Sequence, residues 1–315
     1  MTMETPRKSK AAGRAIFAVL LLAAVLLPLF VDDFQTFQFT QVLVLAVAIM
    51  GLNLLTGFSG QFSLGHGAFF AAGAYVVAYL VGNELAPFPV ALVAAGAFCF
   101  VMGLAFGFPA LKLDGIYLAL ATFSLAVAVP QILKLSVLEH WTGGVGGIVL
   151  MKPPVPAWLP ISEDQWLFYI VLVTGLILYA LVTNLLAGRT GRAMLAVKDN
   201  ALAARAMGIN VTHTKVLAFG YSALVTGMAG GLSAMATQYV APDSFTLFVS
   251  INLLVGLVVG GVGWIPGALA GAAFIYFLPT LAENVSQGMQ GVVYGVVLIA
   301  VMYFAPKGLG AFVRR

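Results

Sequence analysis

Charge is scarce in this sequence, and the residue patterns that build enzyme sites are nearly absent. Charged residues make up 8% of the chain and hydrophobic residues 62%, whereas soluble domains carry about 25% charged residues. The single cysteine, Cys99, excludes an intrachain disulfide and a thiol-rich metal site. The three histidines lie far apart, and the chain contains neither H-E-x-x-H, G-x-S-x-G nor the phosphate-binding G-x-x-x-x-G-K-S/T. The composition therefore indicates an integral membrane protein, and an enzymatic function has little support.

The apolar residues fall into stretches that are long enough to cross a bilayer. A hydrocarbon core about 30 Å thick requires roughly 20 apolar residues for each helix. A window of that length predicts an all-α integral membrane protein with about ten transmembrane helices in a membrane domain at 15–306. The predicted spans are 15–31, 40–58, 66–82, 89–111, 115–135, 166–187, 216–240, 245–263, 265–283 and 288–305. The first could be a signal peptide, but no small-residue cleavage site precedes Asp32, so we expect a retained helix.

The lysines and arginines predict the orientation of these helices. With the N-terminus in the cytoplasm, 13 of the 15 positive residues fall on the cytoplasmic side, and only Lys134 and Lys152 fall outside. Most acidic residues gather at the opposite face: Asp32, Asp33, Glu84, Glu139, Glu163, Asp164, Asp243 and Glu283. The predicted segments outside the membrane are cytoplasmic tails at 1–14 and 307–315, a cytoplasmic loop at 188–215 and a periplasmic loop at 136–165. The net charge of +4 thus reflects membrane topology rather than binding to nucleic acid.

The longest predicted cytoplasmic segment is GRTGRAMLAVKDNALAARAMGINVTHTK, residues 188–215. Thr190 can cap one short helix, and Asp199 or Asn200 can cap a second that ends at Gly208 with Arg205 in its last turn. An apolar face remains without a cover in this chain, formed by Leu195, Leu202, Met207 and Ile209. This pattern predicts a docking surface for a separate cytoplasmic partner. The alternative is a solvated loop that only fixes the topology by its charge.

The stretch GFSGQFSLGHGAFF, residues 57–70, places polar residues and four glycines between two apolar runs. So many glycines make an uninterrupted helix unfavourable, and we expect a break near Gly57 to Gly60. Ser59 or Ser63 could cap the helix that restarts, leaving free amides that attract a carboxylate. The small residues that follow would allow another helix to approach closely. The stretch is therefore predicted to line or gate a pathway, although for His66 itself a hydrogen-bonded packing residue is the favoured interpretation.

A second stretch, GGVGWIPGALAGAAF at 260–274, repeats this pattern of a Gly-rich interruption followed by small residues. Matched interruptions in two halves of a chain point to a transport pathway and to an internal repeat. In the predicted topology both breaks lie in the cytoplasmic half, so they fit an inner gate or a structural bend. The candidate residues of the pathway or gate are Asn53, Gly57, Ser59, Gly60, Gln61, Ser63, Gly65, His66, Gly67, Tyr75, Tyr117, Thr122 and Ser124. Each polar member could instead bond only to a neighbouring helix.

Five motifs together resemble a known family. They are GLNLLTGFSGQFSLGHGAFFAAGAY (51–75), DGIYLALATFSLA (114–126), TGGVGGI (142–148), GRAMLAVKDNALAARAMGI (191–209) and VGGVGWIPGALAGA (259–272). They are similar to the permease subunits of bacterial branched-chain amino acid ABC importers, most of all the M-type (LivM-like) subunit, with urea-importer permeases as close relatives. The resemblance implies a type II-like permease fold. It also implies partners: a second related (H-type) permease, two cytoplasmic ABC ATPases and a periplasmic solute-binding protein.

The resemblance further implies how the chain is driven. Residues 191–209 match the cytoplasmic loop that seats in a groove of the ATPase. The residues concerned are Gly191, Arg192, Lys198, Asp199, Asn200, Ala203, Ala204, Arg205 and Gly208. No cofactor is expected on this chain, and ATP with Mg²⁺ would bind to the partner ATPases.

The expected function is import of branched-chain amino acids across the bacterial inner membrane. Alternatives are import of urea or an amide, an ion-coupled secondary transporter, or a passive channel. No predicted span contains a central ionisable residue other than His66, which disfavours an ion-coupled transporter.

Overall fold

A computed structural model describes residues 21–111, 113, 115–156, 158–285, 290–304 and 308. The predicted tail at 1–14, residues 15–20 of the first predicted span and all of the tail at 307–315 except Gly308 lie outside the described residues. Residues 21–26 are helical and lead into a 3₁₀ turn at Leu27–Leu29. The α-helices that follow are α1 (Asp33–Asn53), α2 (His66–Gly82), α3 (Phe88–Ala110), α4 (Ile116–Leu133), α5 (Glu139–Thr142), α6 (Glu163–Ala187), α7 (Arg189–Asp199), α8 (Ala201–Ala206), α9 (Val211–Thr237), α10 (Leu247–Gly260), α11 (Gly267–Val285) and α12 (Gln290–Phe304).

The apolar helices make the chain a multi-pass membrane protein. Among the described residues, six helical segments are long and apolar enough to cross a membrane: Asp33–Phe58, Phe88–Ala110, Ile116–Leu133, Glu163–Ala187, Val211–Thr237 and Pro242–Gly260. Two shorter apolar helices lie at His66–Gly82 and Gly267–Leu281. A helix is thus present at each of these predicted positions, and α12 lies within the last predicted span.

Two predicted boundaries are wrong because polar residues continue the helices beyond the apolar window. Helix α1 begins at Asp33 rather than at residue 40, since its first turns contain glutamine and threonine. Helix α9 begins at Val211 rather than at residue 216, and the Asn210 side chain caps it by accepting from the His213 amide at 3.0 Å. The segment between α6 and α9 therefore spans 188–210 instead of 188–215.

Helix α9 forms the centre of the bundle, where it packs against α1, α2 and α3. The crossing of α2 and α9 depends on glycine, because a Cβ on Gly73 would collide with the carbonyl of Gly227, and one on Gly230 with the carbonyl of Phe70. Helices α10 and α11 cross closely in the same way, at Gly256 and Gly271. Close helix crossings through small residues are the usual packing of helices in membranes, where lipid competes for apolar contacts.

One end of the bundle, here called the basic end, gathers residues 54–65, 188–215 and 261–266. The Lys198 amino group donates to the Gly57 carbonyl at 2.6 Å, and the Gln61 side chain donates to the Lys215 carbonyl at 3.2 Å. The segments that the topology assigned to the cytoplasmic side thus contact one another.

The opposite end, here called the acidic end, gathers residues 28–33, 83–88, 134–165 and 238–246. Strand β1 (Ile148–Val149) pairs antiparallel with β2 (Tyr239–Val240). The described part of the loop at 136–165, all but residue 157, contains short 3₁₀ turns, the four-residue helix α5 and extended chain. Lys134 pairs with Asp243, and Lys152 pairs with Asp164 at 2.8 Å. The two lysines that depart from the charge rule are therefore both neutralised by carboxylates.

Candidate translocation and coupling site

The first helix break lies at 60–65. Helix α1 continues into a π-helical segment at Leu54–Phe58, the helical backbone ends at Ser59, and α2 begins at His66. Gly60 adopts a φ of +70°, a left-handed conformation that glycine reaches at little cost. This confirms the break predicted near Gly57 to Gly60.

The predicted capping of the second helix is wrong. Gly65 is the N-cap residue of α2, and neither Ser59 nor Ser63 caps that helix. The Ser59 hydroxyl accepts from the Gln61 side chain at 2.8 Å, while the Ser63 hydroxyl accepts from the Gly65 amide at 3.2 Å. Both serines are used within the break itself, so their oxygens stabilise its turns.

Three amides around the start of α2, those of Leu64, Gly65 and Gly67, already donate to hydroxyls, contrary to the expectation that they are free. The Leu64 amide donates to the Thr122 hydroxyl at 2.9 Å, and the Gly67 amide donates to the Ser250 hydroxyl at 2.8 Å. These two hydroxyls come from α4 and α10, which pack against this region. The break is therefore closed by neighbouring helices, as the lack of water in a membrane requires.

His66 belongs to a buried chain of hydrogen bonds. Its Nδ1 pairs with the Ser63 hydroxyl at 3.0 Å and its Nε2 with the Ser222 hydroxyl at 2.6 Å, while Ser222 donates to the Gly51 carbonyl at 2.6 Å. Since the Ser222 proton is directed to Gly51, Nε2 carries the proton that Ser222 accepts, and Nδ1 accepts from Ser63. Both ring nitrogens are used, which supports the packing interpretation of His66 over a role in binding.

The second break contacts the first. Helix α10 ends at Gly260 and α11 begins at Gly267. The Asn53 side chain bridges the two breaks, since it donates to the Trp264 carbonyl at 3.0 Å and accepts from the Gly263 amide at 2.8 Å. A Cβ on Gly57 would lie 2.6 Å from the Gly263 nitrogen and would also meet the Asn53 side chain. The two helix breaks that were predicted from the sequence therefore form one junction.

The predicted helix pair between α6 and α9 is present as α7 and α8. Asn200 caps α8 by accepting from the Leu202 and Ala203 amides, both at 3.0 Å, which confirms one of the two predicted caps. The predicted cap by Thr190 is wrong: Gly188 occupies the N-cap position, because only this residue separates α7 from α6. Gly208, at a φ of +83°, follows the end of α8 as expected.

The apolar surface of the helix pair is exposed at three of the four predicted positions. Leu202 is 78% exposed, Met207 84% and Leu195 39%. Ile209 was wrongly predicted as uncovered, because it packs against a small cluster formed by Val197, Ala204 and Val211. Of the other candidate coupling residues, Arg192, Lys198, Asp199, Asn200, Ala203, Arg205 and Gly208 are exposed, whereas Gly191 and Ala204 are buried.

The candidate pathway residues separate into two groups. One group is buried and hydrogen-bonded to other parts of the chain: Asn53, Ser59, Gln61, Ser63, His66 and Thr122. Tyr117 and Ser124 lie instead on the exposed side of α4 and do not join them. Tyr75 is buried against Phe245, and its hydroxyl has no hydrogen-bond partner among the described residues.

Several hydrogen-bond partners in this region were not predicted from the sequence. The hydrogen bonds of the first break are completed by Ser222, Ser250 and the backbone at Gly263 and Trp264. The only sequence feature that could have pointed to the two serines is that each places a hydroxyl in an apolar helix. Their distance in sequence from the break, 156 and 183 residues, gave no indication of the pairing.

Comparisons with known proteins place these features in a family. The family described as branched-chain amino acid transport system, permease component, matches residues 36–302. The permease protein LivM of the high-affinity branched-chain amino acid transport system of Salmonella typhimurium is 30% identical over 92% of this chain and 73% of its own length. LivM of Escherichia coli is 29% identical over 94% and 74%.

A relative named for another solute also matches. The L-arabinose transport system permease protein AraH of Escherichia coli is 27% identical over 95% of this chain and 93% of its own. No solved structure matches. The family match covers most of the chain, including both breaks and the α7–α8 pair, and the chain therefore belongs to the permease components of branched-chain amino acid transport systems.

Proposed function

We propose that this chain is the permease subunit of an ABC importer that carries branched-chain amino acids across the bacterial inner membrane. The family and the LivM relatives support a transport role. ATP with Mg²⁺ would bind and be hydrolysed on separate ATPase subunits, since the sequence lacks a phosphate-binding loop.

The proposed topology has ten membrane spans, with both termini and the basic end in the cytoplasm. The described part of the basic end carries five cations, Arg189, Arg192, Lys198, Arg205 and Lys215. The positive-inside rule favours the cytoplasm for short loops with this charge. Lys134 and Lys152 are the two exceptions at the opposite end, and each pairs there with a carboxylate.

The observation that carries the proposal is the exposed apolar surface of α7 and α8. Leu202 and Met207, 78% and 84% exposed, flank the exposed cation Arg205 on a capped, folded helix pair outside the apolar spans. Exposed apolar side chains beside a charged residue are typical of a helix that docks into a groove of another protein. The proposed occupant of this surface is the ATPase.

A second permease chain is proposed to contact α4. Tyr117, Ser124 and Gln131 follow one another at seven-residue spacing on the exposed side of this helix. Residues seven apart share one face of a helix, and lipid offers these side chains no hydrogen-bond partner. A related permease that faces α4 would cover the polar row, and solute could pass between the two chains.

The solute-binding protein is proposed to contact the acidic end. Glu139 and Glu163 are exposed there, whereas Asp164 is already paired with Lys152. The two glutamates would therefore be the partners for basic residues of the binding protein.

Branched-chain amino acids are the proposed solutes because two relatives transport them by name. The similarity to AraH makes a sugar the second candidate. The urea and amide alternatives belong to the same importer class. The ligand held by the binding protein that restores uptake in vesicles would decide among these solutes.

Association with the ATPase tests the proposal. We expect the chain to co-purify with its ATPase, and Arg192→Ala and Arg205→Ala to weaken the association about tenfold each, the scale of one lost charged contact. Lys134→Ala, which removes a cation at the acidic end, is the matched control and should leave association unchanged. An ATPase that binds all three variants like the original chain would contradict the proposed docking surface.

A further inference from the structure

Lys198 differs from the other cations of the helix pair because its amino group is directed into the bundle. It lies in the last turn of α7, and its Nζ donates to the Gly57 carbonyl at 2.6 Å. Arg192, by contrast, donates to the Ala187 carbonyl at the end of α6, and no described partner of Arg205 lies in the break. The helix pair therefore reaches the first break through one charged side chain.

The carbonyl that Lys198 binds is made available by the break itself. In an uninterrupted α-helix the Gln61 amide would donate to the Gly57 carbonyl. Here the Gln61 amide donates to the Leu55 carbonyl at 3.3 Å. A carbonyl at a helix C-terminus carries partial negative charge, which a nearby cation stabilises.

The backbone of the break also lies against the aliphatic part of the Lys198 side chain. A Cβ on Gly60 would lie 2.9 Å from Lys198 Cγ, so only a glycine allows this approach. The φ of +70° at Gly60 directs the chain over the lysine. Both the amino group and the stem of Lys198 are thus in contact with the break.

Two further contacts extend this connection beyond the break. The Gln61 side chain donates to the Lys215 carbonyl at the start of α9, and Asn53 connects the first break to Gly263 and Trp264 in the second. The helix pair packs in two places: Val197, Ala204 and Val211 form a small cluster, and Met194 of α7 is buried in the main core. A movement of α7 would therefore reach the first break through Lys198 and the second through Asn53.

We infer that Lys198 is a positioning residue that transmits movement of the ATPase-bound helix pair to the two helix breaks, and that it is not a contact for the ATPase. This inference rests on the proposed function for the identity of the driving subunit. It assigns Lys198 a role different from that of Arg192 and Arg205.

Hydrogen exchange of the purified full chain in detergent tests the physical link without any ATPase. Lys198→Met keeps the aliphatic stem and removes the donor, and we expect about tenfold faster exchange at residues 59–65, the scale of one lost hydrogen bond to a charged donor. Lys198→Arg should restore most of the protection. Arg189→Met, which removes a cation from the first turn of the same helix, is the matched control and should leave exchange at 59–65 unchanged.

Vesicles that contain the complete importer test the role in transport. For Lys198→Met we expect ATPase association and ATP hydrolysis within twofold of the original, with about tenfold less solute imported for each ATP hydrolysed. Lys198→Arg should recover that ratio. Any one of three results for Lys198→Met would overturn the inference. They are unchanged hydrogen exchange at 59–65, an unchanged amount of solute imported for each ATP hydrolysed, and a loss of ATPase association as large as that of Arg205→Ala. If the original chain itself binds no ATPase, the proposed function fails, while the exchange result still decides whether Lys198 holds the break.

Discussion

The basic end and the acidic end of the bundle are joined by different kinds of contact. At the basic end, side chains bond to backbone groups that two helix breaks have freed, as Asn53 does with Gly263 and Trp264. At the acidic end, the contacts include a short antiparallel ladder between β1 and β2, the ion pair of Lys152 with Asp164 and the ion pair of Lys134 with the exposed Asp243. Asn53 is fully buried, whereas 70% of the Asp243 side chain is exposed.

This difference shows where the molecule depends on the identity of single side chains. A part-buried backbone group that loses a side-chain partner costs free energy because little water replaces that partner, while an exposed ion pair contributes little. We therefore expect the basic end to be sensitive to small substitutions and the acidic end to tolerate them. A region that relays movement to the membrane helices requires the same sensitivity.

The largest effect is expected at Asn53. Asn53→Ala leaves the Gly263 amide and the Trp264 carbonyl without their side-chain partner, at a cost of about 3 kcal/mol in the free energy of unfolding. The matched control is Asn83→Ala at the acidic end, where an exposed side chain donates to the Tyr79 carbonyl, and we expect a loss below about 1 kcal/mol. Denaturant titration in detergent, followed by circular dichroism, measures both. Equal losses would mean that the two ends do not differ as described.

A methyl group added at the junction should have the next largest effect. Gly57→Ala places a Cβ against the Gly263 nitrogen and the Asn53 side chain, and such overpacking costs about 2 kcal/mol. Gly146→Ala is the control at the acidic end, because a Cβ there meets no atom within 4 Å and should change unfolding by less than about 0.5 kcal/mol. The same titration compares the two variants. If Gly57→Ala is tolerated as well as Gly146→Ala, the close contact of the two breaks is not maintained in the membrane protein.

A smaller effect is expected from the buried hydroxyl beside His66. Ser222→Ala removes a donor to the Gly51 carbonyl and an acceptor for His66, and we expect a loss of about 1.5 kcal/mol. Ser124→Ala is the control, because that exposed hydroxyl bonds only to the Leu120 carbonyl of its own helix. Thermal unfolding of both variants measures the difference. A melting temperature lowered equally by both would indicate that burial of the His66 chain is unimportant.

The smallest effect is expected at the acidic end. Lys134→Met breaks the ion pair with Asp243, and we expect a loss of about 0.5 kcal/mol that disappears at high salt. Unfolding measured at low and high salt tests this. A loss above about 2 kcal/mol that persists in salt would show that this end also depends on single contacts.

The sequence was sufficient to predict the helices and both breaks. Hydropathy located the spans because a membrane requires long apolar stretches, and glycine clusters located the breaks because glycine disfavours helix. The cap at Asn200 followed from its side chain and the glycine after α8. Helix ends were less well predicted, since polar turns of α1 and α9 extend past the apolar window.

The contacts between distant segments could not be predicted. Asn53 and Trp264 are 211 positions apart, and Lys198 and Gly57 are 141 apart, so no local pattern connects them. The outward positions of Tyr117 and Ser124 were also missed, because a helix that is apolar all around gives no periodic signal for its buried face.

The most direct test of the account measures leucine uptake into vesicles that contain the chain with its partner permease, ATPases and binding protein. We expect vesicles with the complete importer to accumulate leucine against its gradient only when ATP is present on the side of the basic end. Vesicles that contain this chain alone should accumulate none. Accumulation of leucine without ATP or without the ATPases would contradict the proposed ATP-driven import.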